Sequence, residues 1–302
     1  MFLKVGCLSE KIGYYEALTN RYHMNRQQQD DYMTSSHGYI GERVMYDLLQ
    51  EYKECICLWD IAVNLPYRGA VQYDFIVIHE YTVMHFDIKN YKGDYTLQHG
   101  NLVSSNDRII KNPEPQLIRA HHYLEKLVFE FDRRFTLESY MVFINDQFNL
   151  NDRAPSDRWI FRSQLKNVLK SLTGYNNLKG SNISLAKHLI KLHQPLQQYD
   201  YFDRVPLVNI RTGYKCPLCK KLPAFNTHST QFIVCSFCRR KIGMRYLIEY
   251  NLKELFILKG DGITPAEIKT FIPESKRSTI SRVLTEHFTK TGVSKGVRYF
   301  LK

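Results

Sequence analysis

Apolar residues settle into a helical spacing from Gly38 onward, at Ile40, Val44, Leu48 and Leu49, which predicts an amphipathic helix with those side chains inward. Three apolar runs of strand character follow, at 55–65, 71–79 and 81–89. Pro66-Tyr67-Arg68-Gly69 and a tight turn near His79-Glu80 divide them. A weaker hairpin, 95–98 with 102–104, turns at His99-Gly100-Asn101. Pro113 and Pro115 then open a long helix whose Leu117, Leu124, Leu127, Val128 and Phe131 share one face, and 139–144 reads as another strand. Helix, three strands, hairpin, helix, strand is an α/β order with a mixed sheet flanked by helices.

Beyond the sheet, 163–173 and 182–193 read as short helices around Gly174 and Gly180, and Pro195 with Gln197-Gln198 begins a linker. Residues 246–258 predict an apolar-rich helix ended by Gly260-Asp261-Gly262. Thr264-Pro265-Ala266-Glu267 is a helix start, with a capping threonine, proline in the first turn and a glutamate completing the box. A further helix is expected from about 275 to 291, with Ile280, Val283, Leu284 and Phe288 inward and Gly292 at its C-cap. A strand or hairpin turning at Gly296 closes the chain. Residues 1–36 are polar and predict a loose helical arm.

A chain of 302 residues with 44% apolar and 24% charged positions can bury the cores of two domains. That composition excludes disordered, collagenous and coiled-coil classes. No stretch approaches the ~20 apolar residues of a membrane span. Glu10 and Lys11 interrupt the opening segment, so no signal-peptide core is expected, and a cytoplasmic location without membrane partners follows. Net charge sharpens the picture. Residues 207–302 carry 18 Lys/Arg and 6 Asp/Glu, which is the whole of the +12 excess. Such a concentration marks a surface for polyanions, of which nucleic acid is the commonest.

Seven cysteines without an export signal do not suit a disulfide framework. Cys7, Cys55 and Cys57 read as small hydrophobes, the last two on one strand face. The other four form Cys216-x2-Cys219-x15-Cys235-x2-Cys238. Each C-x2-C makes a knuckle, and two knuckles complete a tetrahedron around structural Zn²⁺ closed to water. Two short strands involving Phe225 and Phe232-Ile233-Val234 would make it a zinc ribbon. No thioredoxin-like βαβ unit accompanies these pairs, which argues against redox chemistry. Lys215, Lys220, Lys221, Arg239, Arg240 and Lys241 would give the ribbon a cationic face.

Several polar residues stand where patterning expects apolar ones: Glu42 on the first helix, Asp74 in 71–79, and Asp87 and Lys89 at the end of 81–89. Alternation places Asp87 and Lys89 on one face, and a hairpin of the two strands brings Asp74 near Asp87. Two carboxylates there repel unless a cation bridges them. Hard oxygen donors suit Mg²⁺ or Mn²⁺, and an adjacent ammonium completes a phosphodiester hydrolysis site. On spacing alone, Asp74 and Asp87 read more readily as strand-end residues satisfied by backbone N–H groups, with Lys89 solvated.

The surrounding segments resemble the nuclease-related domain (NERD), a branch of the PD-(D/E)xK nuclease superfamily. The matching pieces are Gly38-Tyr39-Ile40-Gly41-Glu42, Gln72-Tyr73-Asp74-Phe75-Ile76-Val77, Asp87-Ile88-Lys89-Asn90-Tyr91-Lys92-Gly93, and Asn112-Pro113 followed by Gln116-Leu117 with Ala120-His121. The resemblance spans roughly 36–145 and implies a restriction-endonuclease-like mixed sheet. It implies that Glu42, Asp74, Asp87 and the Ile88 carbonyl surround a catalytic Mg²⁺ or Mn²⁺, that Lys89 serves the water or the phosphate, and that Gln116 helps from the helix. The family commonly has glutamate where this chain has Asp87, whose carboxylate sits roughly 1.5 Å further back. A DNA nuclease, in defence or DNA processing, is therefore expected. The rival is a catalytically weak or inactive DNA-binding or regulatory protein, and RNA is the alternative substrate. Neighbouring helical residues point about 100° apart, so His121 and His122 cannot share an ion. His121 is expected to pack or hydrogen-bond near the site.

Three helices and a terminal basic ribbon resemble a winged helix-turn-helix. That resemblance places Lys276, Arg277, Ser278, Thr279 and Arg282 on the recognition helix and Lys295 and Arg298 on the wing. With Lys220, Lys221, Arg239 and Arg240 these form the expected DNA-contacting set. The expected organisation is an arm (1–36), a NERD-like domain (37–150), a helical extension and linker (151–206), a zinc ribbon (207–243) and a winged-helix-like module (244–302).

Overall fold

A computed structural model describes residues 1–65, 69–172, 180–194, 202–223, 231–273 and 275–302, the side chains of Leu65 and Lys295 excepted. Gly174, the Pro195 and Gln197-Gln198 linker start, and Phe225 lie outside the described residues. The chain divides into two units: Met1–Cys7 with Thr34–Tyr199, and Leu8–Met33 with Asp200–Lys302. The elements run β1 (Phe2–Lys4), α1 (Glu10–Leu18), α2 (Arg26–Leu49), β2 (Ile56–Leu65), β3 (Gly69–His79), β4 (Thr82–Lys89), β5 (Gly93–Gln98), β6 (Asn101–Ser104), β7 (Ile109–Ile110), α3 (Glu114–Phe131), β8 (Thr136–Phe143), β9 (Phe148–Leu150), β10 (Trp159–Phe161), α4 (Arg162–Leu169) and α5 (Gly180–Leu192). Then follow β11 (Phe232–Val234), β12 (Lys241–Gly243), α6 (Met244–Lys259), α7 (Pro265–Phe271), α8 (Arg277–His287), β13 (Phe288–Thr291) and β14 (Arg298–Leu301).

The first unit is built on a mixed sheet in the order β1-β2-β3-β4-β8-β10. β2, β3 and β4 form an antiparallel meander, whereas β1, β8 and β10 each join their neighbour in parallel. Helices cover both faces. Met45 and Leu49 of α2 and Leu165 and Leu169 of α4 pack on Trp59, Phe75 and Phe86. Ala120, Leu124 and Val128 of α3 and Leu185 and Leu189 of α5 pack on Ile56, Ile76 and Val83. Burial on both sides explains why these strands read as unbroken apolar runs. The hairpin of β5 and β6 turns at His99 and Gly100, both at positive φ (49° and 78°), as a two-residue hairpin turn requires.

Several expectations are corrected. The inward face of α2 is Gly41, Met45 and Leu49, while Ile40 and Val44 are exposed. The stripe is displaced by one position because Gly41 touches Asn90: a Cβ on Gly41 would stand 2.7 Å from the Asn90 Cβ. Residues 1–36 do not act as one arm. Phe2–Lys4 adds an edge strand to the sheet, whereas Ile12, Tyr14, Tyr15 and Leu18 of α1 are buried in the second unit. The 151–206 segment is more than helical, since β10 completes the main sheet.

In the second unit, Cys216, Cys235, Ile233 and Ile242 share a single core with Leu247, Leu252 and Leu255 of α6 and Val283 of α8. Thr264 and Glu267 form the expected capping box. The last helix stops earlier than its spacing suggested. Residues 288–291 are strand β13, paired antiparallel with β14, and Phe288 fills the core from the strand. An isolated bridge joins Ile263, between α6 and α7, to Tyr299 of β14.

Candidate functional site

The expected carboxylates lie where the sheet loses its regularity. Along a strand, residues two apart share a face. Trp59 and Phe75 pack on the α2 side, yet Ile61 and Tyr73 pack on the α3 side. The faces therefore switch across Asp60 and Asp74, and the β2–β3 ladder skips both, passing from Trp59–Phe75 to Ile61–Tyr73. Asp60 carries the switch in its backbone, with φ of 65°. Lys4 of β1 holds this conformation. Its ammonium donates to the Trp59 carbonyl at 3.0 Å, to the Asp60 carbonyl, and to Asp60 Oδ2 at 3.3 Å. Gln72 Nε2 donates to Asp60 Oδ1 at 2.8 Å. A β-branched residue cannot adopt this conformation without strain, while glycine can. Asp60→Val is accordingly expected to be less stable than Asp60→Gly by about 1–2 kcal/mol, read from urea denaturation midpoints, with the Lys4 ion pair absent from both.

On its other edge, β3 pairs with β4 only as far as Phe75–Phe86. Past that point the strands part at Asp74 and Asp87. Asp74 Oδ2 accepts the Ile88 N–H at 2.7 Å. The strand-end alternative thus describes one oxygen of Asp74. Asp87 is different: its Oδ2 is buried, and among the described residues its partner is the Lys89 ammonium, 2.8 Å away as an ion pair. Glu42 follows Gly41 on α2, and its Oε2 accepts Trp59 Nε1–H at 2.7 Å. Asn90, against which Gly41 packs, donates to the His37 carbonyl at 2.8 Å. Those contacts bring the start of the motif helix to the end of β4.

Burial pushes the Asp74 carboxyl well above the usual range, and the charges of Glu42 and Asp87 push it further, against the pull of Lys89. Glu42 is also raised, by burial above all, with Asp60 and Asp87 adding to it against the Trp59 hydrogen bond. Burial disfavours the Lys89 ammonium, but Asp87 and Asp74 outweigh it and raise its pKa. The residues therefore form one interacting set with crowded negative charge. They do not form a tight three-carboxylate cage. Among the described residues, only the four cysteines bring three or more such donor atoms within 4.8 Å of one another. A hard cation that keeps most of its waters and takes one or two carboxylates suits this looser set.

A cavity of about 580 Å³ adjoins Asp87, walled by Val71, Gln72, His85, Gln116 and Arg119. Gln116 is thus on the opposite wall, from α3. His121 is buried and its Nδ1 lies 3.0 Å from Ser139 Oγ, while His122 is exposed. Burial pushes the His85 imidazole down to about 4, against the nearby Asp87. Sequence reasoning passed over Lys4, Trp59, Asp60 and His85. Asp60 alone gave a signal, an acid inside the apolar run of β2.

In the second unit the four cysteines converge. Cys216 and Cys238 sulfurs are 3.8 Å apart, and those of Cys219 and Cys235 are 3.7 Å apart. A tetrahedron with Zn–S of about 2.3 Å has edges of about 3.8 Å. Both knuckles use the same turn. Lys220 and Arg239 sit at φ of 60° and 58°, and their N–H groups donate to the Cys216 and Cys235 carbonyls at 2.9 Å each. Lys215 is corrected: it is fully buried against Glu254 and is no part of a cationic face. Lys220 and Lys221 lie over the Tyr250 and Phe237 rings, and Arg239 and Arg240 are exposed. At the start of α8, Lys276, Arg277, Ser278 and Arg282 are exposed and Thr279 is half-buried. Arg298 is exposed and paired with Asp261. The Lys295 side chain lies outside those described.

Among the described residues, no helix is long and apolar enough to cross a membrane. No curated protein and no solved structure matches this chain. Residues 37–144, which supply Glu42, Asp74, Asp87, Lys89 and Gln116, match the family model of NERD, the nuclease-related domain.

Proposed function

We propose that the first unit hydrolyses phosphodiester bonds in DNA with a divalent metal and that the second unit holds the nucleic acid. The observation that carries this reading is the buried Asp87 carboxylate, ion-paired with Lys89 and beside Asp74, at the wall of an open cavity. Asp74, Asp87 and the Ile88 carbonyl would hold Mg²⁺ or Mn²⁺, with Glu42 acting through water. The ion would neutralise phosphate charge and activate water. The Lys89 ammonium, steadied by Asp87, donates hydrogen bonds to a non-bridging phosphate oxygen. Gln116 contacts the backbone of the nucleic acid or a water from the facing wall.

The zinc ribbon supplies exposed Arg239 and Arg240. Helix–helix–helix–hairpin order, with Ile263 bridging Tyr299, supports a winged helix whose α8 presents Lys276, Arg277, Ser278, Thr279 and Arg282, with Arg298 and Lys295 on the wing. Cationic contacts of this kind position phosphates, and their binding weakens with salt.

A second reading keeps the DNA grip without catalysis. The short Asp87 side chain and the absence of a tight carboxylate cage favour it. Incubating the protein with plasmid, linear DNA and RNA in Mg²⁺ or Mn²⁺ separates the two. Cleavage that falls by about 100- to 1,000-fold in both Asp74→Ala and Lys89→Ala is the expected result. DNA retention in a gel shift without any cleavage favours the second reading, and cleavage confined to RNA replaces the substrate.

A further inference from the structure

Behind the cavity wall runs a chain of polar groups with no role in the reading above. His85 of β4 is 1% exposed, and its Nε2 has no hydrogen-bond partner among the described residues although the residue lines the cavity with Asp87 and Gln116. Its Nδ1 lies 3.3 Å from Ser139 Oγ on β8, and the same oxygen lies 3.0 Å from His121 Nδ1 on α3. His121 Nε2 in turn stands 3.8 Å from Glu125 Oε1. The Tyr73 ring meets the His85 ring edge-on at 5.0 Å and fixes its plane. A buried, unpartnered ring nitrogen costs stability unless a ligand or water satisfies it.

The order of protons along this chain follows from counting donors. A carboxylate accepts only, and at 3.8 Å Glu125 draws the proton of His121 to Nε2 by its charge rather than by a hydrogen bond. His121 Nδ1 is then an acceptor and takes the single hydroxyl proton of Ser139. Ser139 Oγ is left to accept, so the His85 proton sits on Nδ1 and its Nε2 is a bare lone pair. The tautomer is thereby assigned from the network. Residues two apart on a strand share a face, and one water with hydrogen bonds of about 2.8 Å on either side bridges groups up to about 5.5 Å apart. Lys89 cannot supply an acceptor, because an ammonium has donors only.

We propose that His85, its Nδ1 held toward Ser139, accepts at its unpartnered Nε2 a hydrogen bond from the attacking water and so orients it beside Asp87. The proposal rests on the nuclease reading and adds a positioning residue to it. His85 acts through its lone pair, and no proton needs to leave the water for this role.

The test uses the full chain labelled with ¹⁵N-histidine, with His85 assigned by comparison with His85→Gln. The expected ring spectrum shows a protonated Nδ1 and an unprotonated Nε2. Steady-state cleavage adds the second reading. His85→Leu should lower kcat by about 10- to 100-fold with KM little changed, because the water and not the substrate is misplaced. His85→Gln, whose amide oxygen can stand near the Nε2 position, should recover much of that loss. Ser139→Ala should release the ring to the Nε2–H form and lower kcat as well. An Nε2–H His85 in a wild-type protein that cleaves DNA overturns this proposal alone, as does a Gln variant no better than Leu. A wild-type protein that cleaves no nucleic acid overturns the nuclease reading, whatever the tautomer.

Discussion

Withdrawing metal from the cysteine cluster, by Cys216→Ser or by a strong chelator, is expected to unfold the second unit and leave the first intact. The sulfur separations of 3.7 and 3.8 Å leave four thiols crowded about one point, an arrangement that Zn²⁺ stabilises and that loose thiols do not require. The cluster is also structural in a wider sense. Cys216 and Cys235 are buried in the same core as Ile233, Ile242, Leu247 and Leu255, so losing the knuckles exposes one end of α6. Structural zinc contributes about 10–16 kcal/mol to the folding of small zinc modules, comparable to the whole stability of about 5–15 kcal/mol of a typical domain. Both tryptophans, Trp59 and Trp159, belong to the first unit. Their fluorescence should therefore be unchanged while far-ultraviolet circular dichroism loses helix and amides of α6 exchange freely. A colorimetric chelator should count about one equivalent released. Reduced protein that carries no zinc as purified, or unaltered amide protection in Cys216→Ser, would refute the assignment.

Most of the α/β unit was legible because burial on both sheet faces writes long apolar runs, and because polar residues inside such runs stand out. Asp74, Asp87 and Lys89 were visible for that reason, and the cysteines by spacing alone. What escaped detection depended on contacts distant in sequence. The buried face of α2 is set by Gly41 against Asn90, which helical periodicity cannot register. The division of the first 33 residues follows from Phe2–Lys4 finding the edge of β2 while α1 finds α6. At 288–291, Phe288 fitted a helical stripe, yet pairing with Arg298–Leu301 satisfies the same backbone groups in a hairpin. The kink at Asp60 needs Lys4, 56 residues earlier, to hold it. His85 gave no signal because its partners come from β8 and α3.

Glu254→Ala is expected to cost the second unit about 3–5 kcal/mol, because it strands two buried cations. Arg21 and Lys215 are both 0% exposed, and Glu254 is the carboxylate that faces them, at 2.9 Å from Arg21 Nε and 2.7 Å from Lys215 Nζ. The remaining partners of these cations are neutral: the Arg211 and Gly213 carbonyls and Asn251 Oδ1 for Arg21, the Glu16 and Ala17 carbonyls for Lys215. Tyr250 Oη donates to Glu254 Oε1 at 2.8 Å and would lose its acceptor too. Burial already pulls the Lys215 pKa below its ordinary value even with Glu254 in place. Without the carboxylate that displacement should deepen, so the penalty is largest below the lowered pKa and fades as pH rises and the amine goes neutral. The second cation gives the discriminating measurement. Lys215→Met removes one charge and leaves Arg21 paired with Glu254, so it should cost less than Glu254→Ala. In the double variant the lone cation is Arg21, still hydrogen-bonded to carbonyls, and its loss should fall short of the sum of the singles. Guanidinium melts followed by circular dichroism, with amide exchange on α6 to localise the change, supply the numbers. Strict additivity would mean that Arg21, Lys215 and Glu254 do not act as one network, and that apolar packing alone joins α1 to α6 within this unit.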